Sequence, residues 1–218
     1  MILKGRWETE EKDGIAHFLF NQIPPTGSVA ITVQGLKMLM NFKGGKLVRF
    51  EVNGLPLKHL WEIKGALLLL LHSNRANFLI SDSPPLSGDD FAIPFHTLVL
   101  EVMTLKDEIT TETLNVLRDA FVKLKGIPRG GDEEEFVRTL RLRYKRGATV
   151  NEILRDFPHV FPGYIAHLIS RLLKGGYVEL TNPAEGGLNL SPLWIFVLAF
   201  LVSALSGCLT VFTIIKAL

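Results

Sequence analysis

The sequence predicts an α+β protein: an antiparallel meander packed with helices, then a small mainly helical module and one transmembrane helix. Three observations predict this order. Apolar and polar residues alternate between residues 28 and 52, as in half-buried strands. Helix start and stop signals recur at short intervals between residues 132 and 174. No charged residue lies between Glu185 and Lys216, and such a run is long enough for a membrane span.

The first half supplies the strands of the meander, with glycines at the bends between them. The leucine run near residue 68 is too short to cross a bilayer, so its helix is expected to pack on the apolar face of the strands. We expect these elements to form one domain over residues 1–126. In chain order they are a helix over 15–22, strands over 28–34, 36–42 and 46–52, a helix over 58–72, a strand over 76–81, and helices over 95–105 and 111–125.

Short motifs in this half resemble a known family. They are Leu3-Lys4-Gly5, Pro25-Thr26-Gly27, the hairpin from Phe42 to Val48, Asn77-Phe78-Leu79-Ile80, and Leu98-Val99-Leu100-Glu101 followed by Lys106-Asp107-Glu108. In this order they resemble the PATAN domain, a bacterial module of unknown function. The resemblance implies a protein-interaction role in signalling or motility assemblies and brings no catalytic residue with it.

The second module is expected over residues 132–181, after a linker rich in glycine. Asp132 is predicted to cap a first helix, with Glu135 three residues on. Thr149 and Glu152 predict a capping box for a second helix, and Pro162 opens a third. A strand over 177–180 follows, so that the module resembles a winged helix that lacks the second strand of its wing.

The predicted transmembrane helix covers residues 191–216. A helix over its apolar run would be about 36 Å long, against about 30 Å of hydrocarbon core. Ala199, Ser203 and Gly207 recur every four residues, a spacing that lets another helix approach closely. We expect a single-pass protein of the bacterial inner membrane, with residues 1–190 on the cytoplasmic side, because the N-terminus has no secretory pattern.

Basic residues cluster in the second module. The candidate contacts to lipid or nucleic acid are Arg138, Arg141, Lys145, Arg171 and Lys174. A solvated helix face and a protein contact are the other interpretations. Because residues 126–180 carry nine Lys and Arg against seven Asp and Glu, the excess charge is small for a nucleic-acid module, and nucleic acid is the least favoured partner.

No pattern in the sequence predicts catalysis. The six histidines have no metal-ligand spacing, and no serine or cysteine lies in a nucleophile motif. Gly130-Gly131-Asp132-Glu133-Glu134 resembles the signature turn of diguanylate cyclases, but here it opens a predicted helix. We therefore expect no enzyme, no metal and no cofactor.

Together these patterns predict a membrane-anchored cytoplasmic adaptor or scaffold that binds a protein partner. One alternative is an accessory single-span subunit of a larger membrane complex, docked through other transmembrane helices. Another is a membrane-tethered DNA-binding regulator.

Overall fold

A computed structural model describes residues 2–8, 14–83, 88–109 and 111–181. The strands in these ranges are β1 (Ile2–Glu8), β2 (Gly27–Val33), β3 (Leu36–Lys43), β4 (Lys46–Val52), β5 (Leu55–Pro56), β6 (Arg75–Ser81), β7 (Ile93–Pro94), β8 (Phe121–Leu124), β9 (Ala148–Thr149) and β10 (Val178–Thr181). The helices are α1 (Gly14–Asn21), α2 (Leu60–Leu71), α3 (Phe95–Glu108), α4 (Thr111–Leu117), α5 (Gly131–Arg143), α6 (Val150–Asp156) and α7 (Pro162–Lys174).

The larger sheet has the strand order β1-β6-β2-β3-β4-β5, with β7 paired to β4. All its pairs are antiparallel. Two-residue turns join β2 to β3, β3 to β4 and β4 to β5. Both residues of each turn have positive φ, for example 48° at Gln34 and 82° at Gly35. This conformation matches the twist of paired strands, and it explains why glycine recurs at these bends.

Helix α2 fills the centre of the core, since ten of its twelve residues are buried. Trp61 has no exposed surface, and its ring lies 5.0 Å from that of Phe136 and 5.1 Å from that of Phe157. On the sheet side, buried residues alternate along β2 from Val29 to Val33. The leucine run therefore packs in the core, between the sheet and the helices of the second half.

A smaller sheet, in the order β10-β8-β9, was not predicted. The sequence predicted a helix over 111–125, but the helix ends at Leu117 and the chain continues as β8. Phe121 pairs with Thr149 and Val122 with Ala148. This pairing buries the side chain of Val122 and satisfies its backbone, and such a long-range gain outweighs local helical preference. β8, which precedes α5 in the chain, is therefore the strand that pairs with β10.

The predicted helix caps have different outcomes. Thr149 and Glu152 form the predicted capping box at the start of α6, which is confirmed. Asp132 does not cap α5, because the cap position is Gly130. Glu135 instead accepts a hydrogen bond from the backbone N–H of Leu60 at 3.0 Å. An acid from α5 therefore satisfies an orphan donor at the start of α2.

The predicted fold class is wrong in including a transmembrane helix. No helix among the described residues is both long enough and apolar enough to cross a membrane. The longest of them, α3, has 14 residues, or about 21 Å, against about 30 Å of hydrocarbon core. The described residues instead form an α+β fold in which seven helices accompany an antiparallel sheet. Residues 191–216, to which the transmembrane helix was assigned, lie outside the described residues.

Residues Met1–Leu180 form one compact unit. The predicted domain 1–126 lies within this unit, and so does the predicted module 132–181 up to Leu180. The contacts of Trp61 with Phe136 and Phe157 join the two halves, and the backbone N–H of Phe161 donates to the carbonyl of Gly65 at 3.0 Å.

Candidate anion-binding site

A cavity of about 530 Å³ lies between β8, the end of α5 and the turn that leads to β9. Four of its lining residues are exposed cations and none is acidic. The lining residues are Lys123, Leu124, Arg141, Lys145, Arg146 and Gly147. We call this the basic cavity.

Three separate segments bring these cations together. Lys123 stands on β8, Arg141 on the last turn of α5, and Lys145 and Arg146 on the turn after it. Gly147 has φ +101°, and a Cβ there would collide with the carbonyl oxygen of Val122. Glycine is therefore required for the turn to close against β8, and this closure sets Lys145 and Arg146 beside Lys123.

The cations of the basic cavity differ from the neighbouring ones in having no ion pair among the described residues. Arg138, by contrast, pairs with Glu134 at 2.7 Å. Arg171 pairs with Glu133 at 2.7 Å. Like charges repel one another, and because these four are exposed, water and salt weaken that repulsion. An anion that binds among them relieves what remains of it.

The five predicted lipid or nucleic-acid contacts therefore do not form one surface. Arg141 and Lys145 line the basic cavity, and Arg138 is paired on the exposed side of α5. Arg171 lines a different cavity, of about 300 Å³, together with Arg129 and Glu133. Lys174 lies at the end of α7 and is exposed. The predicted membrane packing residues, Ala199, Ser203 and Gly207, lie outside the described residues.

No protein-family model, curated protein or solved structure matches this chain.

Sequence reasoning missed Lys123 because it assigned residues 121–124 to a helix. The signal that could have found it is the strand-favouring composition of Phe121 and Val122, an aromatic residue followed by a β-branched one. Strict alternation is absent, because two apolar residues precede Lys123. Arg146 directly follows Lys145 in the sequence, but its place beside Lys123 depends on the pairing of β8 with β9.

A second cluster of charges lies in the core. The Lys64 ammonium is 2.5 Å from a carboxylate oxygen of Glu101 and 2.7 Å from one of Asp132. The Tyr164 hydroxyl donates to Asp132 at 2.8 Å. Burial lowers the pKa of Lys64, but the two carboxylates outweigh it and hold that pKa above its usual value. Burial, with Asp132 adding to it, raises the pKa of Tyr164. Because Lys64 is only 4% exposed, this cluster ties α2, α3, α5 and α7 together rather than offering a binding site.

Helix α7, in the position of a recognition helix, is largely covered. Its buried residues include Tyr164, Ile165, Leu168 and Leu172. Burial lowers the pKa of His167, and the nearby Arg171 acts in the same direction, so that this imidazole is neutral at pH 7. The exposed part of α7 therefore offers two cations, Lys174 and Arg171, and Arg171 is already paired with Glu133.

Metal ligands do not converge in the part of the chain that the structure describes. No group of three or more His, Cys, Asp or Glu side chains that could hold a metal ion occurs there.

Proposed function

We propose that this protein is a non-catalytic adaptor that binds an acidic protein partner through the basic cavity and the exposed Leu142 beside it. Together these form the basic face. The observation that supports the proposal is the convergence of Lys123, Arg141, Lys145 and Arg146 without ion pairs among the described residues. Such a surface attracts a complementary negative one and accelerates their association.

An apolar contact favours a protein partner over DNA. Leu142 follows Arg141 on α5 and is 84% exposed. An exposed leucine between Arg141 and Arg143 offers an apolar contact next to charged groups, as protein interfaces do. The alternative DNA-binding role would need α7 to present a free basic face, whereas most of α7 is buried and Arg171 is paired.

The resemblance of the first half to PATAN domains also fits an interaction role, since that resemblance implies protein binding. Attachment to the membrane stays a prediction from the sequence of residues 191–216, which lie outside the described residues. The proposed binding to a partner does not depend on it.

Site-specific photocrosslinking in cells tests the proposal. A crosslinking amino acid at position 142 of the full chain should give one discrete protein adduct, because the basic face contacts the partner. The adduct should be lost when Arg141→Glu and Lys145→Glu reverse two of the charges. The same crosslinker at Leu55, which is 71% exposed on β5, is the matched control.

Two results would contradict the proposal. One is an adduct pattern at position 142 that equals the pattern at position 55. The other is an adduct that survives the charge reversal, because the partner would then not be held by the cations.

A further inference from the structure

We propose that the basic cavity is an oligophosphate site: the anion that it takes is a pyrophosphate or triphosphate group, free or carried on a larger molecule. This inference deepens the proposed function. It rests on one part of that proposal, namely that the basic face is the binding surface. It names the chemical group that enters the cavity at the centre of that face.

The size of the cavity favours a ligand larger than one carboxylate. Its volume of about 530 Å³ lies in the range of about 300–1,000 Å³ that is typical of small-molecule sites. A single acidic side chain would leave most of this space to water, whereas two or three linked phosphates can reach cations on opposite walls. Lys123 on β8 and Arg141 on α5 both line the cavity and come from separate elements.

The charge of the cavity also favours an oligophosphate. Four cations line it without a carboxylate, so a ligand with several negative charges neutralises them best. Arg141 and Arg146 supply planar guanidinium groups that can bind two phosphate oxygens at once. Lys123 and Lys145 supply compact charges of the kind that bind phosphate without a fixed orientation.

The lining offers little to any other part of a ligand. Leu124 is the one large apolar side chain among the described lining residues, and no aromatic ring is among them. A nucleobase would therefore find no stacking partner there. The cavity would recognise the phosphates themselves, through their charge and spacing.

Helix electrostatics alone do not explain this cluster. The negative end of the α5 dipole attracts cations to its last turn, which accounts for Arg141. The dipole does not account for Lys123, which belongs to β8, a strand paired with β9. The convergence of separate elements, with Gly147 closing the turn, indicates a site.

Calorimetric titration of the purified full chain with sodium triphosphate and with pyrophosphate tests the inference. At low salt we expect binding that saturates below about 1 mM and weakens as salt is added. Arg141→Gln should weaken it by about tenfold or more, because it removes a charged hydrogen-bond donor. Lys174→Gln, which removes an exposed cation outside the cavity, is the matched control and should bind like the wild type.

Citrate, with a similar charge carried on carboxylates, separates phosphate recognition from simple attraction. Triphosphate should bind at least about tenfold more tightly than citrate. Equal binding of the two, no binding of triphosphate, or equal losses in Arg141→Gln and Lys174→Gln would each overturn the inference.

The crosslinking experiment separates this inference from the proposed function. A partner adduct at position 142 with no triphosphate binding rejects the oligophosphate site alone. Triphosphate binding without an adduct rejects the protein adaptor alone, and in that case the cavity serves a free oligophosphate. Loss of the adduct when triphosphate is added supports both, because the ligand and the partner then share the cavity.

Discussion

At the scale of single residues, Lys64 shows how charge holds the core. The ammonium is buried and is compensated by Asp132 and Glu101. Asp132→Ala should destabilise the protein by about 3 kcal/mol, because it leaves a buried cation with one partner fewer. Equilibrium unfolding in urea measures the loss.

A paired variant identifies the cause of that loss. Lys64→Met with Asp132→Leu removes the buried cation together with its partner and fills the space with apolar groups, so the double variant should be more stable than Asp132→Ala. The Tyr164 hydroxyl lacks its Asp132 acceptor in both variants, so its loss cancels in the comparison. If the double variant is no more stable than Asp132→Ala, then the unpaired charge of Lys64 is not the reason why Asp132→Ala is destabilised.

A comparison of two predicted helix caps shows which residue roles can be predicted from the local sequence. The capping box of Thr149 and Glu152 was predictable because both partners lie within one turn of the chain. Asp132 carried an equally good local signal, but its carboxylate binds Lys64 and Tyr164 instead. Partners distant in sequence decided its role, and no local pattern contains them.

At the scale of elements, the strands β2 to β4 were predictable because alternation and glycine turns are local properties. The strand β1 was not, since Ile2–Glu8 mixes charged and apolar residues without clear alternation. It forms only because it can pair with β6, from Trp7 opposite Ala76 to Ile2 opposite Ser81. β8 was hidden for the same reason.

Gly65 of α2 shows how closely two elements pack. In an exposed helix Gly→Ala stabilises by about 1 kcal/mol, but here the new Cβ would collide with Val160. The loop cannot withdraw freely, because Phe161 donates to the Gly65 carbonyl. Gly65→Ala should therefore destabilise by about 1–3 kcal/mol, as measured by urea unfolding.

Combining Gly65→Ala with Val160→Ala tests this explanation. Val160→Ala alone should also destabilise, since Val160 is buried. Together the two changes should cost less than the sum of their separate costs, because the second makes room for the first. Additive losses would show that the contact between α2 and the α6–α7 loop does not limit the packing at this position.

At the scale of the whole molecule, some cations of the candidate site could be predicted from the sequence, but the cavity that they line could not. Arg141 and Lys145 were recognisable as members of a basic run. The cavity exists because β8 brings Lys123 to them, and that depends on the pairing of Val122 with Ala148. Charge is visible in a sequence, whereas the convergence of charges from separate elements depends on long-range pairing.

The packing around Trp61 makes a prediction about the two halves of the chain. Trp61 belongs to the first half but is sealed by Phe136 and Phe157 of the second. Residues 1–126 produced alone would expose it, together with the side of α2 that faces α5. Truncating one buried Phe to Ala costs about 3–5 kcal/mol. Removing both Phe136 and Phe157 from Trp61 is therefore a loss comparable with the whole stability of a small domain.

We therefore expect residues 1–126 to lose cooperative unfolding and to bind a hydrophobic dye, whereas residues 1–181 unfold in one cooperative transition. The measurement is urea unfolding of both fragments, followed by tryptophan fluorescence and by circular dichroism. Adding residues 127–181 as a separate chain should restore the transition, since they supply Phe136 and Phe157. A cooperative transition of residues 1–126 alone, with a midpoint equal to that of 1–181, would show that the first half folds without the second and that the shared core adds nothing to its stability.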